Sequence, residues 1–303
     1  MSTGQTNVLH GLLFPSAAFI SEFSSSQTNI NVDELTGLAS GHAQPLFTGG
    51  AGERPDYTFS TPQIATLLTA LGLYGTDLSA GNTDVYQKAA TDLGNRVADG
   101  TTSHHRLRMA NAFGYVTSIR AAHGQVAEIS ARIVPSWDGS TVPLTPAGSV
   151  ALSGTAAAIE YFTLGPVKIN GTALAGVQEW SLDLGCQIAE LSSDGDIYTS
   201  FIYLKEIIPT ISVRGTGTDW QATYGTAGTA LSALTLYLRR RAVDGYNVSG
   251  STNIAITATN GTVRFDGASG AGNDPLSTML KIRPRAASSA ANVLAFDAAS
   301  AIS

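Results

Sequence analysis

Between Gly165 and Thr216 the chain alternates apolar and polar positions in short bursts separated by turn residues. Trp180, Leu182 and Leu184 alternate with Glu179, Ser181 and Asp183. That period of two turns one face of a strand to a core and the other to water. Gly185 interrupts the run, and Asp194-Gly195-Asp196 is turn chemistry. Thr199–Lys205 then resumes with β-branched and aromatic residues. Pro209 opens a further burst in which Ile211 and Val213 alternate with Thr210, Ser212 and Arg214. The pattern predicts strands and places no catalytic group, so it points to a surface built to pair with neighbours.

One stretch has the other period. Ile64, Leu67, Leu68 and Leu71 fall at i, i+3, i+4 and i+7, an apolar stripe along one helix face. Thr61 is placed to cap this helix, Pro62 suits its first position, and Gly72 ends it. The helix is expected to cover an open face or edge of a sheet.

Elsewhere the reading is β. Thr83–Lys88 reads as a strand, and Arg106–Met109 is expected to pair with Phe113–Ile119. Gln125–Trp137 reads as one long strand with Ile129, Ala131 and Ile133 opposite Glu128, Ser130 and Arg132, before an Asp138-Gly139 turn. Residues 140–160 and 215–228 read as connections rich in small residues. Ala233–Arg241 is a strand with Leu234, Leu236 and Leu238 on its apolar face, and Ser277–Arg283 is another. Asn260-Gly261, between Ile254 and Asp266, is the strongest hairpin signal in the chain.

The chain divides into three segments. Residues 1–55 are irregular yet carry Leu12, Phe14 and Phe19, which have no partners in the local pattern. Their apolar content argues for an arm docked on a neighbouring subunit over a disordered tail. Residues 56–285 form the β domain, with strand sets at 83–140 and 165–283, and 286–303 form a mobile Ala/Ser-rich tail.

Composition narrows the function. Charged residues are 13% of the 303, a sparse charge that suits faces meeting other protein faces. A net charge of −6 argues against gripping nucleic acid through phosphates, though not against a channel through which it slides. The single cysteine, Cys186, excludes an internal disulfide framework and reads as a small core residue. Leu12-Leu13-Phe14 is cut short by Pro15, so neither a signal peptide nor a membrane span is expected.

Candidate chemistry is thin. His104 and His105 are adjacent, so on a strand they face opposite ways and cannot share a metal ion. Asp183, Asp194 and Asp196 are the nearest approach to a carboxylate cluster, but Asp194-Gly195-Asp196 lacks the remainder of a calcium loop. Gly215-Thr216-Gly217-Thr218 is followed by no Lys-Ser/Thr and is no phosphate cradle. Arg239 and Arg241 share a strand face that Arg240 does not, so this run is no continuous phosphate patch. No nucleophile, base and orienting group stand in a recognisable set. An enzyme is not expected, and no metal or cofactor is implied.

The order of several features is familiar. Val167-Lys168-Ile169-Asn170-Gly171, Gly176-Val177-Gln178 entering a strand, Asp194-Gly195-Asp196-Ile197-Tyr198 and Pro209-Thr210-Ile211-Ser212 together resemble the major tail (tail tube) proteins of long-tailed bacteriophages. Phe59-Ser60-Thr61-Pro62 with its helix, and His105-Arg106 leading to Trp137-Asp138-Gly139, are similar to the same family. The resemblance spans about residues 56–140 and 165–285 and is one of order and texture, without a catalytic motif. It implies a mainly β fold, a β-sandwich or barrel with one flanking α-helix, whose strands join a β-barrel in a hexameric ring. It also implies stacked rings, other tail proteins at the tube ends, residence in the virion after synthesis in the host cytoplasm, no membrane, and DNA passing without specific binding. The lumen of such tubes is acidic, and Glu128, Glu179, Asp183 and Glu190 are the candidates to line it. The rival reading is a secreted β-sandwich carbohydrate-binding module, for which Tyr198, Tyr203 and Trp220 would supply an aromatic platform; a glycoside hydrolase comes third.

Overall fold

The computed structural model describes residues 7–38, 45–89, 103–155, 161–193, 195–216, 220–241, 252–272 and 276–302. The chain is mainly β, with strand over 61% and helix over 5%, so the period of two governs most of its burial. Its largest sheet has ten strands. From one edge they run β17 (Thr229–Leu231), β20 (Gly261–Ser269), β21 (Ser277–Pro284), β16 (Thr210–Thr216) and β13 (Val177–Asp183). The path continues through β8 (Phe113–Ala122), β9 (Glu128–Val134) and β4 (Pro45–Thr61) to the far edge, β3 (Ser25–Leu38). The short β5 (Thr76–Asp77) pairs with β8 off this path.

Two five-stranded sheets accompany it. One is ordered β10 (Leu144–Val150), β7 (His104–Ala110), β6 (Asn82–Ala89), β1 (Asn7–Leu13), β2 (Phe19–Ile20). The other is β12 (Thr172–Ala173), β11 (Tyr161–Ile169), β18 (Leu234–Arg241), β19 (Asn253–Ala258), β22 (Ala295–Ser300). β14 (Cys186–Leu191) and β15 (Phe201–Ile207) form a hairpin of their own.

One core joins all three large sheets. From the ten-stranded sheet it takes Ile119, Ile129, Trp180, Leu182, Ile211, Val213, Leu280 and Ile282, from the others Leu12, Val85, Met109, Phe162, Leu236 and Ile256. Trp180 and Leu182 are fully buried, as their alternation with polar neighbours predicts.

The helix α1 (Ile64–Leu71) buries Ile64, Leu67, Leu68 and Leu71 in this core against β8, β9 and β2. Each of those side chains contributes about 1.5–3 kcal/mol by leaving water. Gly114 of β8 makes the approach possible, since a Cβ there would stand 2.7 Å from Leu71 Cδ2. The helix begins two residues later than expected. Gln63 holds the cap position without a side-chain cap bond, while Thr61 Oγ1 accepts the Gln63 N–H and donates to Glu22 O. Gly72, at φ 64°, ends it.

Several elements differ from expectation, each for a physical reason. Leu12, Phe14 and Phe19 are buried within this chain, because residues 7–20 supply β1 and β2 to a sheet whose other strands lie far along the sequence. Their partners are nonlocal and therefore invisible to a local pattern. Residues 25–61 form the long β3–β4 hairpin that extends the large sheet. Residues 144–150 are not a connection but β10, paired with β7. β7 and β8 do not pair with each other; a positive-φ Asn111 lies between them, and they enter different sheets.

Asn260-Gly261 is likewise no hairpin turn. β19 stays in the third sheet and β20 enters the large one, so the dipeptide is a corner between sheets. Gly261 has φ 148°, and a Cβ on it would fall 2.4 Å from Arg283 O, which only glycine tolerates. The expected strand over 125–137 shortens to β9, ending at Val134 before Pro135. Residues 215–228 contain α2 (Trp220–Tyr224), with Trp220 buried. The C-terminal tail is not wholly loose: β22 pairs with β19, and Tyr74 OH both donates to Leu294 O at 2.8 Å and accepts from Leu294 N at 2.6 Å.

Candidate functional site

The broadest functional feature is the polar face of the ten-stranded sheet. Because residues i and i+2 share a face, burying Trp180, Leu182 and Ile119 sends Glu179, Ser181, Asp183, Ser118 and Arg120 the other way. In register with them, β16 presents Thr210, Ser212 and Arg214, and β9 presents Glu128, Ser130 and Arg132. β4 adds Asp56, Thr58 and Ser60.

Three of the four carboxylates expected to line a lumen therefore stand on this one face: Glu128, Glu179 and Asp183. None is bare. Glu179 accepts from Arg120 Nε at 2.7 Å, Glu128 from Ser24 Oγ at 2.6 Å, and Asp183 from the Gly185 N–H at 2.9 Å. Glu190 belongs to β14, but its Oε1 lies 3.5 Å from Arg132 Nη2 and so ties the β14–β15 hairpin to the same face.

Arg132 is the centre of that tie. It pairs with Asp56 at 2.7 Å and donates to Tyr115 OH at 3.2 Å, while Asn29 Nδ2 donates to the second Asp56 oxygen at 2.7 Å. Burial alone would lower the affinity of the guanidinium for its proton. Tyr115, Asp56 and Glu190 more than offset this and raise it. Burial raises Tyr115, against the pull of Arg132. Arg132 is thus a fixed cation holding three strands and a hairpin together.

Two hairpins adjoin this face: β3–β4, which forms the edge of the sheet, and β14–β15, tied to it through Glu190. On β3 the core-side positions continue past the body, so Ile30 and Val32 stand in water at 54% and 48% exposure. On the other hairpin Leu191, Phe201 and Tyr203 are exposed. The two hairpins meet where the Glu53 N–H donates to Ile197 O at 2.5 Å; the same β14–β15 loop is held to the segment after β9, where Trp137 N donates to Thr199 O at 2.8 Å.

The remaining sequence candidates fall elsewhere. His104 is fully buried and His105 half-exposed, on opposite faces of β7; His104 Nε2 meets His10 Nδ1 at 3.1 Å. That contact spans 94 positions, and no local spacing announces it. Among the described residues no three His, Cys, Asp or Glu converge as a metal site. Asp194 lies outside the described residues, while Asp196 N closes a turn on Ser193 O. Arg241 Nε donates to Thr163 Oγ1 at 3.0 Å, with Arg239 opposite Thr163 in the ladder. Cys186 is half-buried near Val116 O, and burial pushes its thiol up to about 11. Trp220 is buried and Tyr198 leans on Trp137, so Tyr198, Tyr203 and Trp220 make no shared aromatic platform.

Compared with known proteins, the chain matches no family model and no curated sequence. No helix among the described residues is long and apolar enough to cross a membrane.

Proposed function

We propose that this chain is a structural subunit of a phage tail tube, a homo-oligomer that stacks as hexameric rings around a channel for DNA. The observation that carries self-assembly is the uncovered apolar surface on the two hairpins: Ile30 and Val32 on one, Leu191, Phe201 and Tyr203 on the other. Exposed apolar side chains clustered beside a polar rim mark a protein contact. A two-stranded hairpin such as β14–β15 is marginal in water by itself and gains order when a partner packs on it. The tube itself rests on the resemblance noted above and on the wide polar sheet face, whose Glu128, Glu179 and Asp183 are suited to line a conduit that does not bind phosphate.

In this reading DNA meets the part of the face from β13 to β4, where hydroxyls, carboxylates and arginines paired with carboxylates leave few counterions to release and little drive for adsorption. The subunit is not an enzyme. Sedimentation velocity over a concentration series tests the assembly: the account predicts conversion from a single subunit to ring-sized and larger species. A Phe201→Ser, Tyr203→Ser variant with unchanged circular dichroism should lose that conversion; full assembly of this variant would remove the hairpin argument.

A further inference from the structure

The polar face of the large sheet changes sign from one edge to the other. At the β20 edge, β20, β21 and β16 project Arg264, Lys281, Arg283 and Arg214, with Asp266 bonded to Arg264 among them. Toward the β3 edge the acids prevail. Asp33 is paired with Arg54, Asp56 and the hairpin's Glu190 share Arg132, and Glu128 stands with them, four acids against two arginines; Glu179 and Asp183 lie on the middle strand, β13.

Among the described residues β3 has no strand on its outer side and β20 has one over only part of its length. β17 covers Gly261–Val263 of β20 and the Phe265 N–H donates to Gly225 O at 2.8 Å, which leaves Asp266–Ser269 without an outer strand among the described residues. β3 pairs with β4 alone along its whole length. Open edges carry unpaired N–H and C=O groups and invite another strand.

We propose that these edges are the two halves of one contact, with the β3 edge of one copy laid against the β20 edge of the next. The inference rests on the tube reading and adds which surfaces meet and why they meet in only one sense. Two basic edges, or two acidic ones, repel, so a two-fold pairing of like edges is disfavoured. The acidic edge against the basic edge is a head-to-tail contact, which closes into a ring when its rotation permits. The core-side Ile30 and Val32 then lie beside the neighbour's half-buried Phe265 and leave water.

The test uses two charge-reversed full-length chains. The first carries Lys281→Glu and Arg283→Glu, so both of its edges are acidic; the second carries Asp33→Lys and Glu128→Lys, so both are basic. Light scattering and sedimentation at moderate salt should show each alone associating at least about tenfold more weakly than wild type, since like charges brought together cost more than that factor. A one-to-one mixture should regain assembly, because each chain then supplies the edge the other lacks. Wild-type assembly with both variants assembling equally well alone overturns the edge pairing and leaves the tube reading standing. Wild-type chains that stay single at every concentration overturn both. If circular dichroism shows a reversed chain unfolded, Lys281→Gln with Arg283→Gln replaces it: weaker assembly with a flatter salt dependence supports the pairing, and unchanged assembly contradicts it.

Discussion

Arg132 and Arg120 stand on neighbouring strands of one face and both hold carboxylates, yet burial gives them different weight. The Arg132 side chain is 28% exposed and its partner Asp56 9%, whereas Arg120 is 63% exposed. Arg132→Met leaves Asp56 and Glu190 facing each other without a cation, and removing one partner of a buried pair costs about 3 kcal/mol. Arg120→Ala should cost under about 1 kcal/mol, the range of exposed pairs. Urea denaturation of both variants checks the contrast; equal losses would contradict it. Titration gives a second residue-scale expectation. Burial pushes the Tyr57 phenol up to about 12 from 10.0 and the Cys186 thiol up to about 11 from 9.0. The folded chain holds both protons more tightly than the unfolded one. Their contribution is therefore complete below pH 9.0 and is lost as pH rises through 11 and then 12. The melting temperature should be level near neutrality and fall above that point. Tyr57→Phe should flatten the most alkaline part of the fall, and a slope unchanged by it would contradict the assignment. The alternation showed which way Arg132 points, but the convergence of Asp56, Tyr115 and Glu190 on it depends on strand order, which no local pattern carries. The meeting of His10 with His104 is hidden for the same reason.

At the scale of elements, α1 was legible because a 3.6-residue stripe needs only eight residues to declare itself. Leu68→Asp places a charge in its contact with β8 and β9, at a cost of several kcal/mol after relaxation. The variant should fail to accumulate as soluble protein, and a soluble, cooperatively melting variant would sink the packing described. The strands β13, β16, β18 and β21 were equally legible from their two-residue period. Pairing was not. Asn260-Gly261 carries hairpin chemistry, yet the flanking strands enter different sheets: β19 pairs with β18, where Ile254 and Ile256 lie opposite Leu238 and Leu236. Residues 7–20 read as an arm because their sheet neighbours begin at Asn82, beyond the reach of any window. Their removal should therefore unfold the body, since Leu12, Phe14 and Ile20 leave the core with them. A truncation lacking these residues that still melted cooperatively at the wild-type temperature would show that β1 and β2 are dispensable.

For the whole molecule, the sequence carried a mainly β chain with one amphipathic helix and sparse charge, and the structure arranges it as a wide sheet with one polar face and two adjoining hairpins. A conduit subunit needs a surface inert to DNA and surfaces that find copies of itself. In the proposed tube the polar face would meet DNA and the hairpins would meet other copies. Fluorescence anisotropy with a duplex probe at physiological salt should show no binding to the assembled protein; strong binding that falls steeply with salt would contradict an inert channel. The most direct measurement is electron microscopy of the purified wild-type protein at high concentration. The account predicts annular particles with a central channel, stacking into tubes of uniform diameter. Dispersed single subunits, at concentrations where Ile30, Phe201 and Tyr203 would find partners, would contradict it.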